Sequence, residues 1–421
     1  MRNIAIMLAA LGLLLGFGLW LTPAPLHAQD TPPALLTATV DTGGVRLRVR
    51  SGPGLNYPIV ARLANGQQTT VAARNEAGDW LLVTAPGAPT GQGWAAAEYL
   101  RLNGSLAQTP VMVYSPPSAP VAASVPAPAA TPAPAGFYGK LAVPVFDAQR
   151  RTYDVWLVNA DGTGLRQVVT AASAPALSAD GSLLAYRRWQ VDDRGIVVAR
   201  ADGSAPLRVT ANLEDTLPSF SPDGAKVAFS SARESDRVSR LYYAWTDAQA
   251  PRTWEWGPGG HHGDDPDWLR DGRIFYRHYR LGDTQDQLRS ISSLTGLEQQ
   301  TLFAAPSLHA PDATGDGRTV VYMGADRQGN WDIYRLDVAS GAVTRLTSHA
   351  ATDGLPVWSP NAEYIAFVSD RGGRWGLWVM NADGSNERLI VNLPGSVDGQ
   401  VKNEPAYLTN GWLEEQIAWA P

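Results

Sequence analysis

The 421-residue chain contains no cysteine. Disulfide bonds, cysteine-ligated zinc, thiol nucleophiles and a lipid-modified N-terminal cysteine are therefore excluded. Charged residues are sparse as well, at 18%, and the formal net charge of −6 includes no block of lysines and arginines. Because nucleic-acid-binding proteins need a basic surface, no nucleic-acid partner is expected.

Recognisable catalytic motifs are also missing. The chain has no Gly-x-Ser-x-Gly nucleophile elbow and no phosphate-binding glycine loop that leads into a helix. No hydrolase domain is expected between the last repeat and Pro421. The sequence therefore predicts neither an enzyme nor a cofactor.

Long apolar runs are absent except at the N-terminus, where Ile4 to Leu21 carry no charge. A short basic start precedes this run, Pro23 and Pro25 follow it, and Ala28 offers a cleavage site, so residues 1–28 are predicted to be a secretory signal peptide. The run also just reaches transmembrane length, which leaves an uncleaved membrane anchor as the alternative. Either way we expect an exported protein: periplasmic, cell-wall associated or extracellular, with the membrane contacted only through an uncleaved anchor.

Glycine (41), proline (31) and tryptophan (15) are plentiful, which favours many short strands and tight turns over long helices. Residues 105–137 are rich in proline and alanine and show no hydrophobic periodicity, so they are predicted to be a semi-rigid linker that insulates the regions on either side. The remainder divides into residues 34–103 and 138–421.

Residues 34–103 alternate in short strand-like runs separated by glycine, proline and asparagine, the pattern of a small all-β barrel. They resemble the bacterial SH3 domain in the motifs LRVRSGPG at 47–54, YP at 57–58, LANG at 63–66, GDW at 78–80, GWA at 93–95 and EYL at 98–100. The resemblance implies an extracytoplasmic domain that binds cell-wall peptides or glycans. Arg50, Tyr57 and Tyr99 are the candidate ligand residues, whereas Trp80 and Trp94 are expected in the core.

Residues 138–421 contain an internal repeat. Two copies are the clearest, DTLPSFSPDGAKVAF at 215–229 and DGLPVWSPNAEYIAF at 353–367. The repeat prolines recur every 43 to 49 residues, at Pro175, Pro218, Pro266, Pro311, Pro356 and Pro405. A repeat of this length with four strands and a Pro-Asp-Gly hairpin turn predicts a β-propeller blade, which must stack on its neighbours to bury both faces.

Counting the third strand of each repeat gives six blades. The first blade lacks a proline-motif strand and the last motif lacks a third strand, so a C-terminal strand, assigned to Glu404–Leu408, is expected to complete the first blade. The repeats resemble the TolB-type propeller family. The predicted fold is therefore all-β, a small SH3-like barrel joined by a Pro/Ala-rich linker to a six-bladed propeller.

By this resemblance, the residues just before the repeat prolines line one mouth of the channel: Asp215, Asp264, Asp265, His309, Asp353, Asn403 and Glu404. This acidic ring suits a cation or a basic peptide end, or it caps turns and aids solubility. The segment HHGDD at 261–265 is the densest group of potential ligands for zinc or manganese, and His261, His262 and His309 are weak metal candidates. A polar loop between blades is the alternative.

Loops after the second strands carry arginines, mostly beside acidic residues: Arg187, Arg188, Arg194, Arg233, Arg237, Arg277, Arg280, Arg327, Arg371 and Arg374. They form either a solvated mixed-charge rim or a face that binds carboxylates or sugar acids. The favoured function is an exported, non-enzymatic cell-envelope binding protein. Its SH3-like domain would bind cell-wall peptide or glycan, and its propeller channel face would bind a protein or glycan. The alternative is a metal-dependent lyase or hydrolase that acts on an acidic polysaccharide.

Overall fold

The computed structural model describes residues 36–42, 46–54, 57–114, 137–234, 236, 238–247, 253–255, 261–279, 283–297, 299–327, 329–402 and 409–421. The signal segment, most of the linker, Arg237, Arg280, Asn403 and Glu404 lie outside them. No helix among the described residues has both the length and the apolar character that crossing a bilayer requires.

The N-terminal domain is a seven-stranded sheet in the order β3-β2-β6-β5-β4-β1-β7. Its strands are β1 Thr37–Val40, β2 Leu47–Arg50, β3 Ile59–Leu63, β4 Gln68–Arg74, β5 Trp80–Thr84, β6 Gln92–Ala96 and β7 Leu100–Leu102. Alternating side chains point inward from these strands, so Val49, Leu63 and Leu81 form a buried core. Trp94 is buried as expected, whereas Trp80 is only half-buried. Short 3₁₀ turns lie at Ala97–Tyr99 and Leu106–Gln108.

Six four-stranded antiparallel sheets follow, and they confirm the six-bladed propeller. Blade 1 contains β8 Lys140–Asp147, β9 Thr152–Asn159 and β10 Arg166–Val169; blade 2 contains β11 Ala172–Leu177, β12 Leu183–Arg188, β13 Gly195–Arg200 and β14 Leu207–Arg208; blade 3 contains β15 Thr216–Phe220, β16 Lys226–Ser231, β17 Arg240–Trp245 and β18 Thr253–Glu255. Blade 4 contains β19 Asp264–Trp268, β20 Arg273–His278, β21 Asp286–Ser292 and β22 Gln300–Ala305; blade 5 contains β23 His309–Ala313, β24 Thr319–Ala325, β25 Trp331–Asp337 and β26 Val343–Arg345; blade 6 contains β27 Asp353–Trp358, β28 Tyr364–Ser369, β29 Gly376–Asn381 and β30 Arg388–Asn392.

The short strands β31 Val401–Lys402 and β32 Thr409–Asn410 pair with each other, and β33 spans Ala418–Ala420. The remaining short helices are 3₁₀ turns at Val191–Asp193 and Trp412–Glu414.

The last strand closes the ring. β33 pairs with β8, with Trp419 opposite Leu141, and so supplies the inner strand of blade 1. Closure by a C-terminal strand is thus confirmed, but its assignment to Glu404–Leu408 was wrong; residues 403–408 lie outside the described residues. The signal was present in Ala418-Trp419-Ala420-Pro421, which repeats the Trp358-Ser359-Pro360 pattern of blade 6.

Each inner strand of blades 2 to 6 has the same irregularity. The residue before the repeat proline has a positive φ, between 44° and 52°, and the ladder register shifts there in every case. These residues are Ala174, Leu217, Asp265, Ala310 and Leu355. A non-glycine residue in this backbone conformation is strained by about 1–3 kcal/mol. Because five such residues recur at the same position of five blades, we infer that packing around the channel imposes the bend.

Candidate functional site

Two sequence features meet at the rim where the inner strands begin, here called the start rim. Asp353 pairs with Arg371 at 3.0 Å, and Asp215 pairs with Arg233 in the same way. In each blade the aspartate lies at the start of the inner strand and the arginine follows the second strand. The predicted acidic ring and the arginine loops are therefore partners in these blades, where each carboxylate pairs with an arginine of its own blade.

Blade 4 has the densest cluster of this kind. Arg277 donates to both oxygens of Asp264, at 2.7 and 2.6 Å, and lies 3.5 Å from Asp265 and 3.8 Å from Asp286. Burial and the charge of Asp264 raise the pKa of Asp265 well above its ordinary value, and burial raises that of Asp286. Burial tends to lower the pKa of Arg277, but the surrounding carboxylates outweigh it and the pKa is raised.

His309 lies in the same cluster, with Nε2 3.4 Å from Arg277 Nη1 and its ring edge-on to Trp331. Burial, and then Arg277, hold its pKa well below the ordinary value, so the imidazole is neutral. A guanidinium this close repels a metal cation. The site therefore gives no support to metal-assisted catalysis at His309.

The other two candidate histidines are engaged in different contacts. His261 Nε2 lies 2.6 Å from the carbonyl oxygen of Gly296, and the carbonyl oxygen of His262 accepts a hydrogen bond from His278 Nδ1 at 2.6 Å. Across the described residues, no three His, Asp or Glu side chains are grouped as metal ligands would be.

The C-terminal segment lies against the channel near the start rim. Trp412 packs edge-on to Trp331, at 5.6 Å between ring centroids, and sits so close to Gly354 that a Cβ there would overlap its ring. Glu415 is fully buried and accepts a hydrogen bond from the backbone N–H of Ala174 at 2.7 Å. Burial raises the pKa of Glu415 to about 8. The segment thus fills the channel at this end with a carboxyl group that holds its proton at neutral pH.

The opposite rim, where the inner strands end, is the end rim. A cavity of about 230 Å³ lies in the channel on this side, lined by the repeat prolines of blades 3 to 6 and by Asp267, Asp312 and Gln416. Sequence reasoning did not single out these three residues. The signal lay in the position after the repeat proline, which is Ser219, Asp267 and Asp312 in blades 3 to 5.

These end-rim side chains join neighbouring blades. Asp267 accepts a hydrogen bond from the N–H of Ala313 at 2.8 Å, and Asp312 accepts one from the N–H of Trp358 at 2.7 Å. Burial raises the pKa of Asp267 to about 6. Burial and the charge of Asp267 raise the pKa of Asp312 well above its ordinary value. The cavity therefore presents two interacting carboxyl groups that hold protons more tightly than exposed aspartates.

The SH3-like domain contacts the start rim at blade 6. This differs from the expectation that the linker keeps the two domains apart. The N–H of Ile59 donates to the carbonyl oxygen of Gly373 at 2.6 Å, and Arg50 reaches Asp398 at 3.3 Å. Arg50 is only 2% exposed, so this candidate ligand residue is already occupied.

The aromatic candidates lie close by. The Tyr57 ring packs edge-on to Tyr114, with 5.1 Å between centroids. Burial and the charges of Glu98 and Asp398 raise the pKa of Tyr99 to about 12. The three residues predicted to bind a ligand on the barrel therefore lie at, or beside, its contact with the propeller and the start of the linker.

Comparison with known proteins agrees with this architecture. The family model for the bacterial SH3 domain matches residues 45–101, and that for the TolB beta propeller domain matches residues 265–412. The Tol-Pal system protein TolB of Francisella tularensis subsp. mediasiatica is 24% identical over 244 residues, which cover 56% of this chain and 55% of that protein. The uncharacterized peptidase YuxL of Bacillus subtilis is 27% identical over 210 residues, covering 48% of this chain and 30% of that protein.

Among solved structures, TolB from Acinetobacter baumannii superimposes with a TM-score of 0.53 at 18% identity, covering 67% of each chain. This likeness concerns the fold alone. The chain spans about half the length of the curated TolB relatives that it matches. With the six blades and the seven-stranded barrel described above, these matches identify the chain as a bacterial SH3 domain followed by a TolB-type six-bladed β-propeller.

Proposed function

We propose that this is an exported, envelope-associated binding protein without enzymatic activity. Its propeller would bind a protein or glycan partner, and its SH3-like domain would bind cell-wall peptide or glycan. The observation that carries the propeller half is the cavity at the end rim, because the start rim is occupied by Trp412, Glu415 and the SH3-like domain. Export rests on the predicted signal segment, residues 1–28.

The cavity chemistry favours a ligand rich in hydrogen-bond donors. Asp267 and Asp312 each use one acceptor site on a backbone N–H of the next blade, and a carboxyl group has acceptor capacity beyond that. Lysine side chains, peptide N–H groups and sugar hydroxyls all supply such donors. Binding a cation would also favour release of the protons that the raised pKa values retain.

A binding screen tests the propeller half. The full chain is titrated with three probes: lysine-containing decapeptides, neutral oligosaccharides and soluble peptidoglycan fragments. We expect at least one class to bind, and expect Asp267→Asn combined with Asp312→Asn to weaken that binding tenfold or more. Asp383→Asn, on an exposed turn of blade 6, is the matched control and should leave affinity unchanged. Equal affinity in the double variant and the control would contradict a site at the end rim.

The cell-wall half is tested by co-sedimentation of the full chain with isolated peptidoglycan sacculi. Retention above that of a heat-denatured sample is the expected result. Because Arg50 is held by Asp398, we expect retention to depend on faces of the barrel other than the one at the propeller contact. No retention above the denatured sample would remove cell-wall binding from the proposal.

A further inference from the structure

The contact between the two domains centres on one side chain of the barrel, Arg48. Its Nε lies 3.1 Å from Asp370 and its Nη1 lies 2.7 Å from Asp398, both on the propeller. Its guanidinium carbon is 5.0 Å from the ring centroid of Trp375 and 6.0 Å from that of Trp412. Two carboxylates and two indole rings thus surround a single guanidinium group.

The propeller holds the acidic groups in place independently of the barrel. Asp370, whose side chain is fully buried, accepts a hydrogen bond from the N–H of Thr352 at 2.9 Å. Asp398 accepts one from the indole N–H of Trp375 at 2.9 Å. Because the propeller orients both carboxylates, the cleft is organised before an arginine enters it.

Two further arginines of the barrel border the same carboxylates. Arg62 pairs with Asp370, and Arg50 pairs with Asp398. Burial alone would raise the pKa of Asp398, but Arg48 and Arg50 outweigh it and the pKa lies below the ordinary value. Asp398 therefore stays ionised inside the contact, and each of the two carboxylates faces two guanidinium groups.

We propose that Asp370, Asp398, Trp375 and Trp412 form a guanidinium-binding site on the start rim, whose resident ligand is Arg48 of the same chain. The planar guanidinium donates to two carboxylates at once while its face lies over an indole, which an ammonium group does not reproduce. Occupation of this site fixes the SH3-like domain on the propeller. The proposal is independent of which ligand the end-rim cavity takes.

The experiment measures the distance between the domains. Because the chain has no cysteine, Ala77→Cys on the barrel and Ala339→Cys on the propeller, both at exposed positions, allow two spin labels to be attached specifically. In this background we expect one narrow distance distribution. Arg48→Ala should broaden it, whereas Arg101→Ala, which removes an exposed pair with Asp41 within the barrel, should not.

Ligand specificity is tested by rescue. Millimolar methylguanidinium added to Arg48→Ala should restore the narrow distribution, and methylammonium at the same ionic strength should not. Arg48→Lys keeps the charge and most of the length of the side chain, and it replaces Arg48→Ala in the experiment if that variant is unstable. It should give a distance distribution broader than that of the unsubstituted background. An unchanged distribution in both variants, or equal rescue by the two cations, would overturn the proposal.

Discussion

Replacing Glu415 by glutamine should stabilise the protein at alkaline pH and have little effect at pH 4. Glu415 is fully buried beside the N–H of Ala174, and burial raises its pKa from 4.5 to about 8. A group whose pKa is raised on folding binds its proton more tightly in the folded state. Its contribution to the free energy of unfolding is therefore complete below pH 4.5 and is lost as the pH rises to about 8.

The size of the effect follows from the shift. Each pKa unit corresponds to about 1.4 kcal/mol, so the Glu415 carboxyl lowers the free energy of unfolding by about 3 kcal/mol at pH 7, where the unfolded chain releases the proton and the folded protein keeps it, and by about 5 kcal/mol at pH 9. Arg187 and Glu414 are the charged neighbours that act on this carboxyl, and the substitution leaves both in place. A neutral amide removes the ionisation cost and can still accept the hydrogen bond from Ala174.

Urea unfolding at pH 4, 7 and 9 measures this difference. The free energy of unfolding of Glu415→Gln minus that of the unsubstituted protein should grow with pH by several kcal/mol. Glu363→Gln, the same substitution on an exposed turn of blade 6, is the matched control, and its difference at pH 9 should be far smaller than that of Glu415→Gln. A Glu415→Gln difference that is the same at all three pH values would refute burial of an ionisable carboxyl at the channel.

Three further predictions concern the ring. Trp419→Ala removes a side chain that is 8% exposed and should cost about 3–5 kcal/mol in urea unfolding, whereas Trp245→Ala, at 43% exposure, should cost far less. Ala362 occupies the glycine position of a repeat turn at φ 57°, so Ala362→Gly should raise the free energy of unfolding by about 1 kcal/mol. Gly224→Ala, at φ 69°, should lower it by a similar amount. Changes of the opposite sign in urea unfolding would contradict backbone strain at this turn position. Truncation after Ser396 removes β33 and Asp398, so the thermal unfolding transition of the propeller should be lost in differential scanning calorimetry. An intact transition would mean that β33 does not close the ring.

Local sequence patterns predicted the blades well because each blade depends on information within one repeat. The proline turn and the alternation of apolar residues place a hairpin wherever they occur, as at Pro222-Asp223-Gly224. The count of six third strands is confirmed, because each blade contains one such strand, from β9 in blade 1 to β29 in blade 6. The closing strand was misplaced because Pro405 and Asn410-Gly411 resemble the repeat motif, while the strand that pairs with β8 begins at Ala418, ten residues after Leu408.

The candidate site was predicted only in part. Asp215, Asp264 and Asp353 do lie at one rim, as their positions before the repeat prolines implied. Their pairing with arginines of the same blade depends on how the first and second strands register, which spacing alone does not specify. Asp267 and Asp312 face the channel cavity because the backbone bends at the positive-φ residue two positions earlier. The residues at these bends are alanine, leucine or aspartate, so the residue type alone does not predict the bend.

The sequence by itself determined the all-β character, the two domains and the number of blades, because repeated short-range patterns encode each of them. Only the tertiary structure decided which charged groups meet. Arg48 lies 322 residues from Asp370 and 350 from Asp398 along the chain, and no periodicity links them. Such pairs form because the folded barrel and the folded propeller come into contact. A charged side chain buried in that contact is costly unless a side chain of opposite charge pairs with it.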